Sequence, residues 1–249
     1  DVDTSGFFLH FNTSKYSMAL DLSQAAGLEV AKRLVKWADV IVENFSPGVM
    51  SRMGLGYEDL NNINPSIIMV SSSCLGQKGV ALGLRGHALV GAAVSGHCHL
   101  TGWPDRQPLP GPGHADIIQP ILTVIAVIGA LVFREKTGKW QYIDVTQVEP
   151  LINFIGPSIM DHISNGNSPV RCGNRHPDAA PHGAFRCKGS DSWCAIAVFT
   201  EEEWQQLCLV MDNPRWAKDA RFATLQLRKQ NEDELEKLVE RWTVQYEAE

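Results

Sequence analysis

Asp116 is the residue whose type and position best suit covalent chemistry. It stands where a glycine- and proline-rich run, residues 109–115, gives way to a long apolar pattern that is typical of a helix. Unpaired backbone N–H groups at the start of a helix stabilise a carboxylate anion, and an ionised carboxylate is a usable nucleophile at neutral pH. An aspartate at this place is also a common helix cap, so position alone leaves both roles open.

Composition excludes several other kinds of protein. The chain has 249 residues and a net charge of −6, which is enough length for one large domain or two modest ones. No run of basic residues supports binding to a nucleic-acid backbone. The six cysteines form no C-x-x-C pair, so they signal neither a zinc site nor a disulfide framework, and we expect a cytoplasmic protein.

The elements that must position Asp116 alternate between strand and helix. Apolar runs predict strands at residues 17–22, 39–42, 67–71 and 140–145. Helical spacing predicts helices at residues 23–37, 116–136 and 149–163, with a short helix toward Met53 and a second one from Tyr57. This alternation is typical of an α/β fold in which helices cover both faces of a parallel sheet.

The longest apolar stretch is residues 120–133. It is too short to span a bilayer, and its flanks are not those of a signal peptide. We therefore expect a buried helix and no membrane contact.

A smaller domain is expected in the last part of the chain. Residues 164–182 are rich in Gly, Asn, Pro and Ser and separate an α/β domain, residues 1–163, from an α+β domain, residues 183–249. The α+β domain should contain two strands joined at residues 189–192, a helix that begins with a capping box of Thr200 and Glu203, and an amphipathic helix over residues 228–246. Because the chain starts without methionine and ends just after a charged helix, we expect it to be truncated at both ends.

Several short motifs, in their order and spacing, resemble the class III coenzyme A transferases, a family that includes formyl-CoA and carnitine CoA-transferases and α-methylacyl-CoA racemase. Each motif is weak alone, but together they extend over most of the α/β domain. They are N-T-S-K at residues 12–15, L-D-L at 20–22, A-D-V-I-V-E-N-F-S-P-G at 38–48, R-M-G at 52–54, L-T-G at 100–102, Asp116, and R-E-K-T-G-K at 134–139.

The resemblance implies a Rossmann-like domain that binds CoA, a smaller α+β domain and an interlocked homodimer, with the family's first βα unit missing. It also implies that Asp116 attacks an acyl-CoA thioester to give a mixed anhydride and that the CoA thiolate then forms an aspartyl-CoA thioester. An acceptor carboxylate finally takes the CoA. The substrates would be an acyl-CoA and a small carboxylic acid, with no metal and no permanently bound cofactor.

The resemblance further assigns contacts with CoA to residues on either side of the nucleophile. Cations suit the phosphates of the CoA nucleotide, and an aromatic face suits adenine. The family's glycine-rich loop over the active site corresponds to residues 172–177, which contain one glycine here. The assigned residues are Lys15, Asn44, Phe45, Arg52, Arg85, Gly173 and Asn174.

Three alternatives stay open. In the racemase branch a histidine and the aspartate exchange a proton at the α-carbon, and His87 with Asp116 has nearly the required spacing, although the residues after His87 differ from that branch. A non-catalytic CoA-binding fragment is a second alternative. His97 and His99 would share one face of a strand, which suggests a metal site, but no third ligand lies nearby.

Overall fold

The chain divides into two units, each built around its own sheet. The computed structural model describes residues 5–79, 86–109 and 114–248. Unit 1 comprises Asp1–His97 and Pro110–Met160, and unit 2 comprises Cys98–Leu109 and Asp161–Glu249. Residues 98–109 thus belong with the C-terminal part of the chain, although they precede the long apolar helix in sequence.

Unit 1 contains a parallel sheet of three strands in the order β1-β2-β3, and unit 2 contains an antiparallel pair, β4 and β5. The strands are β1 Val40–Glu43, β2 Ile68–Ser73, β3 Tyr142–Thr146, β4 His182–Arg186 and β5 Trp193–Ala197. The described helices are α1 Gly6–Phe11, α2 Ala25–Trp37, α3 Val49–Arg52, α4 Tyr57–Ile63, α5 Ala88–Val94, α6 His97–Leu100, α7 His114–Thr137, α8 Val148–Phe154, α9 Gly156–Asn165, α10 Glu201–Val210, α11 Leu225–Gln230 and α12 Glu232–Thr243.

Helices cover both faces of the parallel sheet. Met69 of β2 packs with Val35 of α2 and Leu60 of α4 in a buried cluster. Ser72 points to the opposite face, because side chains alternate along a strand. There the side chain of Gln119 in α7 donates to Ser72 Oγ at 2.6 Å. The predicted α/β architecture is confirmed.

Helix α7 is fastened to the sheet near both of its ends. The bond from Gln119 holds its N-terminal part against β2. At its C-terminal part, Arg134 donates to the carbonyl oxygens of Ser66 at 2.8 Å and Asp39 at 3.3 Å, and it pairs with Asp39 Oδ1 at 2.7 Å. The first turn of α7, which contains Asp116, is therefore held in a defined position over the sheet.

The prediction that residues 120–133 form a buried helix is wrong about burial. Helix α7 is long and apolar enough to cross a membrane by length and composition alone, and 17% of its most apolar window is buried. Strands β2 and β3 and helices α5 and α8 contact one side of it, which leaves a broad apolar face uncovered. The exposed side chains are Ile117, Ile121, Leu122, Val124, Ile125, Ile128, Val132 and Phe133.

The predicted strand at residues 17–22 is also wrong. The segment pairs with no strand among the described residues, and Met18 within it and Tyr16 just before it are exposed. Alternating apolar residues become a strand when a neighbouring strand completes the hydrogen-bond ladder. In the described part of the sheet β1 pairs with β2 alone, so its other edge is open.

Two predicted helices are each divided into two, and one predicted strand is a helix. Residues 149–163 form α8 and α9, because Pro157 lacks the N–H that would continue α8 and lies instead in the first turn of α9. Residues 228–246 divide at Asn231, whose side chain donates to Leu227 O at 2.9 Å and closes α11. His97 and His99 lie in α6 rather than on a strand, and α1 and α5 were not predicted. The remaining predicted elements agree closely with those observed.

Arg228 of α11 joins the first turn of α10 to the segment just before β4. The predicted capping box of Thr200 and Glu203 is present and places Glu201 in the first turn of α10. Arg228 is completely buried and forms two parallel hydrogen bonds with the Glu201 carboxylate, at 2.9 and 3.0 Å, and a third with Ala180 O at 3.0 Å. This hydrogen bonding holds the pKa of Glu201 below its ordinary value.

We expect the substitution Glu201→Gln to destabilise unit 2 because it removes the charge that compensates buried Arg228. Removing one partner of a fully buried pair costs about 3 to 5 kcal/mol; Glu201 is half exposed, so we expect about 2 kcal/mol. Because the folded-state pKa of Glu201 is lowered, its contribution is present above pH 4.5 and is lost as the pH falls through the folded-state value. Urea unfolding followed by tryptophan fluorescence at neutral and acidic pH measures both effects.

The matched control is Glu202→Gln, which changes an exposed neighbour that has no hydrogen bond from its side chain among the described residues. We expect it to stay within about 0.5 kcal/mol of the wild type. Equal stability of the two variants would contradict the role assigned to Glu201.

Candidate active site

Three side chains enter the site from the ends of the three parallel strands. Asn44, Cys74 and Gln147 are the first residues after β1, β2 and β3. All three line one cavity of about 410 Å³. Ligands of open parallel sheets bind outside the carboxyl ends of the strands, so this edge is where a site is expected.

Two further side chains reach the same cavity from helix starts. Asp116 lies in the first turn of α7, and His87 is the residue before α5. The structure thus brings together Asp116, His87 and Asn44, which lie far apart in sequence. The other lining residues are Ser72, Ser73, Gly86, Gln119 and Pro120.

The carboxylate of Asp116 is exposed and held through one oxygen. Its Oδ1 accepts a hydrogen bond from Gln147 Nε2 at 2.5 Å. Within the described parts of the chain, this is the one hydrogen bond to the carboxylate, and no cation forms an ion pair with it. Among the described residues Oδ2 has no hydrogen-bond partner, so the arrangement is compatible with attack by this oxygen on an electrophile.

Cys74 is a potential competing nucleophile in the same cavity. Burial raises the pKa of its thiol, and the negative charge of Asp116 raises it further. Its Sγ donates to the carbonyl oxygen of His87 at 3.5 Å. Since the thiolate is the reactive form of cysteine, the raised pKa makes Cys74 a weaker nucleophile at neutral pH.

His87 caps helix α5 through its side chain. Its Nδ1 accepts the backbone N–H of Leu89 at 3.4 Å. In the neutral ring the proton therefore sits on Nε2, and any proton exchange with a substrate would use that atom. The geometry fits both a structural cap and an acid in the cavity.

Three of the residues expected to contact CoA lie in the loop after β1 or in the short helix α3 that follows it. Asn44 lines the cavity, and Phe45, 43% exposed, donates its N–H to Glu43 Oε2 at 2.7 Å. Arg52, at the end of α3, folds back over the loop, with Nη1 3.0 Å from the position that a Cβ on Gly48 would occupy. A second cavity, of about 480 Å³, borders the same loop.

Lys15, another predicted contact with CoA, is not among the residues that line this cavity. Lys15 Nζ donates to Phe11 O at 2.7 Å and to Asn12 Oδ1 at 3.3 Å, so it closes the end of α1. Arg85 lies outside the described residues.

Gly173 and Asn174 lie in unit 2, in a tightly packed segment. The N–H of Gly173 donates to Gly102 O at 2.9 Å, its φ is +62°, and a Cβ there would collide with the ring of Trp103. Asn174 O accepts a hydrogen bond from His182 Nδ1 at 2.5 Å. Gly173 and Asn174, which the resemblance assigns to a loop over the active site, are therefore held by contacts within unit 2.

Some acidic and histidine side chains outside this cavity are paired with other side chains. A cavity of about 390 Å³ in unit 2 includes Asp233 and Glu236, but Arg175 pairs with both. His97 packs edge-on against His114, and burial lowers the pKa of His97. In the described ranges, no group of three or more His, Cys, Asp or Glu side chains is arranged to hold a metal ion.

Sequence reasoning missed Cys74 and Gln147. Neither residue stands in a recognisable motif. The available signal was positional, because each follows an apolar strand directly and the carboxyl ends of parallel strands meet at one edge.

Comparisons with known proteins agree on one family. The profile of CoA-transferase family III matches residues 1–249. Acetyl-CoA:oxalate CoA-transferase of Acetobacter aceti is 34% identical over 241 residues, which cover 96% of this chain and 61% of that protein. Succinyl-CoA:mesaconate CoA-transferase of Haloarcula hispanica is 31% identical over 249 residues, with coverage of 98% and 62%.

A solved structure, described as a CAIB/BAIF family protein from Brucella suis, matches the fold with a TM-score of 0.86 at 35% identity. The match covers 94% of this chain and 61% of that one. The chain thus spans somewhat less than two thirds of the length of these relatives.

Proposed function

The chain belongs to CoA-transferase family III, and we propose that it moves coenzyme A from an acyl-CoA thioester to a free carboxylate. The observation that carries the proposal is the accessible carboxylate of Asp116, held through one oxygen at the carboxyl edge of the sheet. A cavity of about 410 Å³ has room for the reacting ends of a thioester and a small acid.

The reaction proceeds in steps that balance without water. The free oxygen of Asp116 attacks the thioester carbon, the C–S bond breaks, and a mixed anhydride and CoA thiolate result. The thiolate attacks Cγ of Asp116 and releases the first acid, which leaves an aspartyl-CoA thioester. The acceptor carboxylate attacks the same carbon and releases the thiolate, which then takes the acceptor's acyl group and regenerates Asp116. These steps require neither a metal nor a permanently bound cofactor.

The substrates and their contacts extend this proposal. Relatives named for oxalate and mesaconate favour a dicarboxylic acid as the acceptor. Asn44, Phe45 and Arg52 form one candidate surface for CoA beside the cavity. The roles of Lys15, Arg85, Gly173 and Asn174 in binding CoA, and a cytoplasmic location, remain proposals from the family resemblance.

We predict that Asp116→Ala abolishes CoA transfer and leaves the fold intact, because the exposed carboxylate makes one hydrogen bond with the described part of the chain. Succinyl-CoA and acetyl-CoA, tested as donors against a panel of dicarboxylates, measure the transfer. Hydroxylamine should convert Asp116 to a hydroxamate only when acyl-CoA is present, because the anhydride and the thioester are electrophilic at Cγ.

Asp105→Ala is the control for that variant, since Asp105 is exposed and lies in unit 2. It should retain full activity. If correctly folded Asp116→Ala retained more than a few per cent of the activity, the assignment of Asp116 as the nucleophile would be contradicted.

A 2-methylacyl-CoA racemase is the second candidate, because His87 and Asp116 line one cavity. Such an enzyme exchanges the α-proton, whereas a transferase leaves it in place. We predict no deuterium at the α-carbon when the protein is incubated with a 2-methylacyl-CoA in deuterated water. Rapid deuteration that disappears in His87→Ala, without trapping at Asp116, would reverse the choice.

A second copy of the chain is the partner that we propose for the exposed face of α7. Its apolar residues recur at helical spacing along the whole helix and form a continuous surface. Exposed patches of this kind mark protein or membrane contacts. The interlocked dimer implied by the family resemblance would cover such a surface with protein.

We predict that Ile121→Glu combined with Ile125→Glu dissociates the dimer, because two carboxylates would be buried at the contact. Size-exclusion chromatography with light scattering measures the mass. Leu209→Glu, which changes an exposed apolar residue of unit 2, should leave it unchanged. A monomeric wild type, or one that sediments with lipid vesicles, would contradict the assignment of a second copy.

A further inference from the structure

The backbone of Gln147 is fixed from two sides. Its N–H donates to the carbonyl oxygens of Ser73 and Cys74, both at 3.1 Å, so it stays beside the end of β2. Gly91 of α5 packs so closely that a Cβ there would lie 3.2 Å from Gln147 Cβ. The side chain therefore starts from a defined point at the edge of the cavity.

The side chain of Gln147 does not serve its own helix. Gln147 occupies the cap position of α8, yet its amide makes no capping bond. Thr146 and Glu149 satisfy the helix start instead. The N–H of Glu149 donates to Thr146 Oγ1, and the Thr146 hydroxyl donates to Glu149 Oε2, both at 3.0 Å. The amide of Gln147 is free for another task.

One of the two polar atoms of that amide makes a hydrogen bond. Nε2 donates to Asp116 Oδ1, while Oε1 is buried and has no hydrogen-bond partner in the described part of the structure. A buried acceptor without a partner reduces stability, so such groups call for a functional explanation. The bond to Asp116 is the single side-chain hydrogen bond of Gln147 within the described ranges.

We propose that Gln147 holds Asp116 Oδ1 and donates a hydrogen bond to the oxyanion that forms on this atom during transfer. The inference rests on the proposed function. With Oδ1 held, Oδ2 is the attacking oxygen. In the aspartyl-CoA thioester Oδ1 is then the carbonyl oxygen.

The charge on Oδ1 changes in a defined way. When the acceptor carboxylate attacks Cγ, the π electron pair of the carbonyl moves onto Oδ1. When the C–S bond breaks, the pair returns and the CoA thiolate leaves with the bonding electrons. A donor already in place stabilises this charge without reorganisation, and removing one such donor typically slows turnover by about 100- to 1,000-fold.

The first test is Gln147→Met, which keeps the side-chain length and removes the donor. We expect the discharge of aspartyl-CoA by the acceptor to slow by about 100-fold, with little change in the KM for the acyl-CoA donor. The melting temperature should be equal or higher, because the unpartnered oxygen is removed; a structural role predicts a lower one. Gln141→Met, an exposed glutamine just before β3, is the control and should behave as the wild type.

The second test is Gln147→Glu, because its carboxyl group donates a hydrogen bond only when protonated. Like charges side by side raise the pKa of one carboxyl group. Turnover of this variant should therefore rise as the pH falls from about 8 to about 6, while Gln147→Met shows no such rise. A flat profile for both variants would contradict the donor role.

Intact-protein mass spectrometry after rapid quenching separates this inference from the proposed function. If the wild type accumulates and discharges a CoA adduct at Asp116 and Gln147→Met discharges it equally fast, the inference fails and the transferase assignment stands. If no donor produces the adduct in the wild type, both fail. A slow discharge in Gln147→Met alone supports both.

Discussion

The parallel pairing of β2 with both of its neighbours is the constraint on which the site depends. Because all three strands run in one direction, the chain leaves each of them at the same edge. Ser73 pairs with Thr146, so Cys74 and Gln147 leave the sheet side by side, and the N–H of Gln147 bonds to the carbonyl of Cys74. The position of the amide that contacts Asp116 is thus determined by strand register rather than by a loop.

The features that could be predicted from the sequence are determined by residues a few positions apart. The features that were missed are determined by contacts between residues far apart in the sequence. The apolar run of β2 and the capping box of Thr200 and Glu203 are decided within a few residues, and both are present. The glycine- and proline-rich run before an apolar helix located Asp116 at a helix start in the same way. A strand at residues 17–22 requires a neighbour. The role of Gln147 requires the register of β3 against β2 and the approach of α7, and no single segment contains that information.

Some residues of the family motifs make contacts that hold the fold together. Arg134 and Asp39 belong to two motifs that are far apart in sequence, and they pair with each other at 2.7 Å. Lys15 closes the end of α1 with its own segment. Resemblance therefore locates residues that matter, whereas the contacts of each side chain decide whether it holds the fold or faces a ligand.

Helix α7 connects the candidate nucleophile with the surface proposed to bind a second copy. The first turn of this helix contains Asp116. Hydrogen bonds from Gln119 and Arg134 fasten the helix to the sheet, and its outer face is apolar and exposed. A partner that covers this face would restrict the same helix whose position sets the distance between Asp116 and Gln147. If dimer formation favours the position of α7 in which Gln147 bonds to Asp116, then stabilising that position must favour dimer formation by the same free energy. An acyl-CoA that binds best to this geometry at Asp116 would then strengthen the dimer. The dependence of activity on protein concentration and the dependence of dimer formation on acyl-CoA would have the same physical origin.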